Sequence, residues 1–165
     1  MIITHMKHKI KLIYKQLSGL EYIRMKKKER VEGAIYERNY VYNFHYHLIW
    51  VTKYRQPAFS TPELAEEMKQ ILLEQAALSD ITVETMEVMP DHIHMLIGFK
   101  PKYAPSDIVK SLKGHSAKIF FQRHPEIRDH QFWGGHLWSH SYYMSTVGMM
   151  SKEVVERYIR NQYTK

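Results

Sequence analysis

The stretch Met89-Pro90-Asp91-His92-Ile93-His94-Met95-Leu96-Ile97-Gly98-Phe99 reads as the end of one strand, a turn and a second strand. Pro90 cannot donate to a β-ladder, and Asp91 favours turns. In the extended run that follows, His92 and His94 share one face while Ile93, Met95, Ile97 and Phe99 share the other. One face can pack on a core and the other can hold a metal. Ile81 to Met89 alternates toward a strand, so the two runs form an antiparallel hairpin.

Upstream of this hairpin, Val41 to Thr52 is aromatic and β-branched and reads as a strand. Lys53-Tyr54-Arg55-Gln56-Pro57 follows as a basic turn. Ser60-Thr61-Pro62-Glu63 has the pattern of a helix start, and Leu64, Met68, Ile71, Leu72 and Leu78 give an apolar stripe reaching about Ser79. Downstream, a loop from Lys100 to Pro105 leads to Ser106, which can cap a second helix whose Ile108, Val109, Leu112, Ile119 and Phe120 face a core. Phe132-Trp133-Gly134-Gly135 turns into a short strand at His136 to Ser139, and Ser141 to Val147 extends it or adds another. Gly148 breaks that pattern, either as a hinge or as a simple helix-start breaker. Ser151 can cap a last helix from Lys152 to about Tyr163.

The order strand, helix, strand, strand, helix, strand predicts an α+β fold. Its expected form is a ferredoxin-like, RRM-like βαββαβ antiparallel sheet with helices on one face plus a C-terminal helix. A chain of 165 residues with 44% hydrophobic residues suffices for one core. Residues 39–165 are expected to form a single domain behind a basic N-terminal arm, residues 1–38.

The net charge of +7 invites a nucleic-acid partner, yet its location matters. Residues 1 to 30 hold nine Lys/Arg against two Asp/Glu, and the remainder is balanced. Met25 followed by three lysines reads as an alternative start, which would make residues 1–24 a translated upstream extension. Within the balanced part, residues 100 to 128 concentrate basic side chains, among them Lys110, Lys113 and Lys118. With Lys53 and Arg55, these are the candidates for phosphate contact. No apolar stretch in the arm is long enough for a signal peptide core or membrane span, so a cytoplasmic protein without a membrane partner is expected. The absence of cysteine excludes disulfides, thiolate-bound zinc and a cysteine nucleophile. A metal site must use His, carboxylate, amide or water.

The chain has 11 histidines, for which random placement gives about 0.7 His-x-His triplets. Two occur, the second being His45-Tyr46-His47. That second pair lies where apolar residues occupy both strand faces, so His45 and His47 are expected to be core or groove histidines rather than ligands. On the last helix, Tyr158 and Gln162 are four residues apart and share a face. They could present a phenol and an amide oxygen to one site, although Tyr142 and Tyr143 are equally capable phenols.

Taken together, Leu48 to Phe59 with Lys53-Tyr54-Arg55, Met89-Pro90-Asp91-His92-Ile93-His94, Lys110-Ser111-Leu112-Lys113-Gly114, Leu137-Trp138-Ser139 through Ser141-Tyr142-Tyr143, and Tyr158 to Gln162 resemble a single-tyrosine HUH transposase of the insertion sequence 200/605 family. The resemblance implies that His92 and His94 bind a divalent cation, Mg²⁺ or Mn²⁺, that Gln162 supplies a third ligand, and that Tyr158 is the nucleophile. It implies cleavage and rejoining of single-stranded DNA at hairpin-marked element ends through a 5′-phosphotyrosine linkage. It also implies a homodimer in which the tyrosine helix can complete the partner's site. Neutral ligands would leave the cation's field for a scissile phosphate. A phenol, which titrates near ~10 in water, needs help from that field or from a basic neighbour such as Arg157 or Lys152. The alternatives are a domesticated relative that processes repeated palindromes and a non-catalytic RRM-like binder of single strands. No RNP-type aromatic motif supports the latter.

Overall fold

The computed structural model describes residues 33–161. The chain divides into two compact units, residues 1–43 and 44–165. In the first, β1 (Ile35–Tyr36) and β2 (Val41–Tyr42) pair antiparallel, and Glu37 N donates to Tyr40 O across the turn at 3.0 Å. The second comprises β3 (Tyr46–Val51), α1 (Pro62–Leu78), β4 (Thr82–Met89), β5 (His92–Gly98), α2 (Pro105–Arg123), α3 (Pro125–Gln131), β6 (Tyr143–Thr146) and α4 (Met149–Arg160).

The main sheet has the order β4-β5-β3-β6 with every neighbouring pair antiparallel. β5 therefore lies between the parallel strands β3 and β4, which is the split βαβ arrangement of the ferredoxin-like fold. Alternation along the strands decides what each face does. Leu48 and Trp50 of β3, Met86 and Val88 of β4, and Ile93, Met95 and Ile97 of β5 point to one side. There they join Met68, Ile71 and Leu72 of α1 and Val109, Leu112 and Phe120 of α2 in one buried cluster. Each such side chain stabilises the fold by about 1.5–3 kcal/mol through burial. On the opposite side, Ile159 and Val155 of α4 pack on Leu96 and Val147 in a separate small cluster. The helix at the end of the chain thus covers the other face of the sheet.

Several local expectations are refined. The strand expected over 41–52 is two strands, because Val41–Tyr42 pairs with β1 and the main ladder begins at Tyr46. In the break, the Phe44 carbonyl comes so near Gly98 that a Cβ there would lie 3.1 Å from it, which explains a glycine inside β5. Thr61 caps α1, its side chain accepting from Leu64 N at 3.3 Å.

α2 begins two residues earlier than a cap at Ser106 would place it. Ala104 takes the cap position without a side-chain bond and Pro105 the first turn, where its fixed φ and missing N–H cost nothing. α4 likewise starts ahead of Ser151, with Gly148 as its N-cap. The short strand expected at His136–Ser139 reduces to one bridge, Thr52 to Trp138. It cannot extend because β3 turns away immediately, with Tyr54 and Arg55 at φ 59° and 55°. α3 was not anticipated, although Pro125 in its first turn and Glu126 beside it are start signals. Among the described residues, no helix is long and apolar enough to cross a membrane.

Candidate active site

The sheet face beneath α4 carries the histidines. β5 places His92 and His94 there by alternation, and β3 sets Val51 opposite His92, Ile49 opposite His94 and His47 opposite Leu96. Residues i and i+2 on one strand share a face, so His47 stands diagonally beside His94. The two rings stack at 5.6 Å and 20°, with His47 Nε2 3.3 Å from His94 Nδ1. The His92 ring lies 5.1 Å from that of His94. From α4, the Tyr158 ring meets His94 edge-on at 5.6 Å and His47 at 6.1 Å. Burial of Ile159 fixes the register of α4, and the preceding residue then faces the histidines.

The hydrogen bonds around these rings determine which nitrogens remain available. His92 Nδ1 donates to Asp91 Oδ1 at 2.5 Å, since an ionised carboxylate only accepts. Asp91 is held in turn by Arg55 Nε at 2.8 Å, and its carbonyl accepts from Thr52 N at 2.8 Å. Burial acts to raise the Asp91 carboxyl, but the His92 and Arg55 contacts outweigh it and keep the group below its ordinary value. Among the described residues, Nε2 of His92 and of His94 has no hydrogen bond, while both Nδ1 atoms are engaged. This is the arrangement by which a second nitrogen orients a metal-binding imidazole.

Burial, aided by the neighbouring His92 and His47, pushes His94 down to about 4, and burial also lowers His47. At neutral pH His94 is therefore uncharged, with lone pairs available to a cation. The two imidazoles of His92 and His94 can fill two positions around a divalent ion. No group of three His, Cys, Asp or Glu among the described residues could hold one. Gln162, the expected third ligand, lies outside the described residues, and the Lys152 side chain does as well.

His45 and His47 do not act as a pair. His45 precedes the strand and pairs through Nδ1 with Glu84 Oε1, whereas His47 belongs to the His94 group. Sequence reasoning set His47 aside and did not single out Asp91. The tie of Asp91 to His92 was open to recognition from its position just before a candidate ligand. The contact of His47 with His94 depends on strand register, which no local pattern reveals. Among the histidines of this group, the Tyr143 ring comes near His47, with centroids 6.3 Å apart, and Tyr142 lines a different groove between α2 and the 135–142 loop.

The expected phosphate-contact residues separate as well. Lys110 and Lys118 are exposed on α2, Lys53 is half-buried, and Arg55 is engaged with Asp91. Lys113 points inward and donates to the carbonyls of Ser139 at 2.6 Å and Ser141 at 3.1 Å, and burial lowers its pKa. Lys113→Met should cost about 1–3 kcal/mol by leaving those carbonyls without their donor. Thermal denaturation should then show a Tm several degrees lower, at roughly 2–4 °C per kcal/mol for a chain of this size. An unchanged Tm with weakened DNA affinity would make Lys113 a phosphate contact instead.

Residues 40–162 match the family described as "Transposase IS200 like". The chain is 43% identical over 128 residues to the ISDra2 transposase TnpA of Deinococcus radiodurans, covering 78% of this chain and 90% of that protein. It is 28% identical over 121 residues to the transposase for insertion sequence element IS200 of Salmonella typhimurium, covering 73% and 78%. A crystal structure of a Deinococcus radiodurans transposase superposes with a TM-score of 0.64 at 40% identity, covering 78% of this chain and 97% of that one. The REP-associated tyrosine transposase bound to a REP hairpin shares the fold at a TM-score of 0.55 and 11% identity, covering 79% and 72%. The match over three quarters of the sequence, carried on a ferredoxin-like sheet, places this chain in the IS200-like transposase family.

Proposed function

We propose that this transposase cleaves and rejoins single-stranded DNA at hairpin-marked element ends, with Tyr158 as the nucleophile and a divalent cation, Mg²⁺ or Mn²⁺, at His92 and His94. The observation that carries this reading is the approach of the Tyr158 ring to His94 within one chain. A phenol and two imidazoles at one spot form the minimum set for metal-assisted phosphoryl transfer to tyrosine. The cation, when bound, supplies positive charge to the scissile phosphate. Gln162, four residues after Tyr158 in the sequence, is read as the third ligand.

The chain's own residues do the rest. Tyr158 Oη attacks the phosphorus in line and displaces a 3′-oxygen; the phenol proton passes to solvent and the departing oxygen takes one up to leave as a 3′-hydroxyl. The new bond is a 5′-phosphotyrosine. A 3′-hydroxyl from another strand reverses the step, so no external energy source is needed. Asp91 fixes His92 and His47 fixes His94, each through Nδ1. Lys53, Arg55, Lys110 and Lys118 remain the proposed DNA-binding set, with Lys110 and Lys118 the most accessible of them, while Lys113 is taken up by the Ser139 and Ser141 carbonyls. The working unit is read as a homodimer on the strength of family membership.

The reading is tested by incubating the protein with a single-stranded hairpin substrate and Mn²⁺ or Mg²⁺ and seeking a covalent protein–DNA adduct. A related expectation concerns His47. His47→Ala should weaken Mn²⁺ affinity about 10–100-fold, as loss of a ligand-orienting partner does, while His45→Ala leaves it unchanged. Calorimetric titration of Mn²⁺ into each variant distinguishes them, and equal affinities would show that His47 only packs.

A further inference from the structure

Beyond the end of β3 lies a cleft of about 560 Å³ that the proposed chemistry does not use. Its walls come from two turns. One is Lys53–Arg55, where Tyr54 sits at φ 59° and Arg55 at φ 55°, backbone conformations uncommon for residues other than glycine. Bonds on every side hold this turn. Thr52 Oγ1 donates to Gln56 O at 2.7 Å, Lys53 N to Leu137 O at 2.7 Å, and Arg55 Nε to Asp91 Oδ2 at 2.8 Å. The result is a Tyr54 ring that is 80% exposed. The other turn, which includes Gly135 at φ 69°, buries Phe132 but leaves Trp133 90% exposed.

Exposure of two large aromatic rings on one cleft needs a reason, because folding gains nothing from it. Among the described residues, Lys53, His136 and His140 line the same cleft and no Asp or Glu does. Lys53 Nζ lies 4.8 Å from the Tyr54 ring centre. Gln131 also lines the cleft, and its Oε1 is buried without a hydrogen-bond partner. Aromatic faces, a lysine and an amide with unused capacity are the elements that bind an unpaired base and its phosphate.

We propose that this cleft binds an unpaired nucleobase of single-stranded DNA, stacked on Trp133 or Tyr54, with Lys53 toward the adjoining phosphate. The inference rests on the single-strand reading above and adds a base-binding site to it. The cleft is tied to the histidine pair by one chain of bonds, from the Tyr54–Arg55 turn through Asp91 to His92. A strand whose phosphate lies at His92 and His94 thus continues toward Tyr54. Stacking of this kind tolerates any base, so the site sets the path of the strand rather than its sequence.

Intrinsic fluorescence provides the test, because Trp50 and Trp138 are buried and Trp133 is not. Titration of the full chain with a short oligo(dT) should quench tryptophan emission, and the quench should vanish in Trp133→Phe while binding measured by anisotropy of a labelled oligo(dT) persists. Trp133→Ala and Tyr54→Ala should each weaken oligo(dT) binding, together by about 5–150-fold, with circular dichroism confirming that both fold. A blunt duplex of equal length should not quench. Undiminished affinity in both alanine variants overturns the proposal, as does equal quenching by duplex. If those variants bind normally while the wild-type protein still forms its covalent hairpin adduct, the base site alone fails. If the wild-type protein neither binds oligo(dT) nor forms an adduct, the single-strand reading fails with it.

Discussion

Tyr158→Phe is expected to eliminate the covalent protein–DNA adduct on a single-stranded hairpin substrate, reducing cleavage by at least about 10⁴-fold, because removal of a covalent nucleophile leaves only binding and electrostatic effects. The substitution deletes one oxygen from a ring that is 52% exposed, so stability should not change. The informative controls are the two rival phenols. Tyr143 approaches His47 but makes no ring contact with His94, and Tyr142 faces another groove. Tyr142→Phe and Tyr143→Phe should retain the adduct. Denaturing electrophoresis with end-labelled DNA reads all three. An adduct that survives Tyr158→Phe, or disappears in Tyr143→Phe, moves the nucleophile elsewhere and ends the present assignment.

His92→Ala should abolish metal-dependent cleavage while leaving hairpin binding nearly intact. A cation that stabilises the transferring phosphate by several kcal/mol corresponds to a loss on the order of 10³-fold or more. Chelation by EDTA should reproduce that loss in the wild-type protein, and excess Mn²⁺ should restore it there but not in the variant. Filter binding of the same hairpin, with and without metal, separates recognition from chemistry. Cleavage by His92→Ala at the wild-type rate would remove the metal from the reading. His92 is the better choice for this experiment. His94 is 4% exposed and wedged against His47, so its removal would also disturb packing.

Much of the site was legible from local pattern, for a physical reason. A strand has period two, so His92 and His94 had to share a face as soon as Pro90-Asp91 was recognised as the turn that begins β5. The apolar residues between and after them had to face the helices. The α1 boundaries were equally readable, since Thr61, Pro62 and the apolar stripe are local signals, and the βαββαβ order followed from such segments one after another. The helix starts that were misplaced, at Ser106 and Ser151, failed because Ser is only one of several residues that can occupy a cap. Ala104 followed by Pro105 fulfils the same geometry in α2.

What the sequence by itself determined is the alternation that gives the sheet a core face and a histidine face, the order of elements, and the residue types able to hold a cation and attack phosphorus. What only the tertiary structure decided is which distant groups meet. The antiparallel register of β3 on β5 brings His47 to His94 across 47 positions of sequence. The bend after Thr52 sends Arg55 back to Asp91, and at the other end of β3 His45 meets Glu84. The packing of Ile159 on Leu96 turns Tyr158 toward the histidines. Each of these is a long-range pairing chosen by how well two surfaces pack, and pairings of that kind leave no periodic trace in either segment alone.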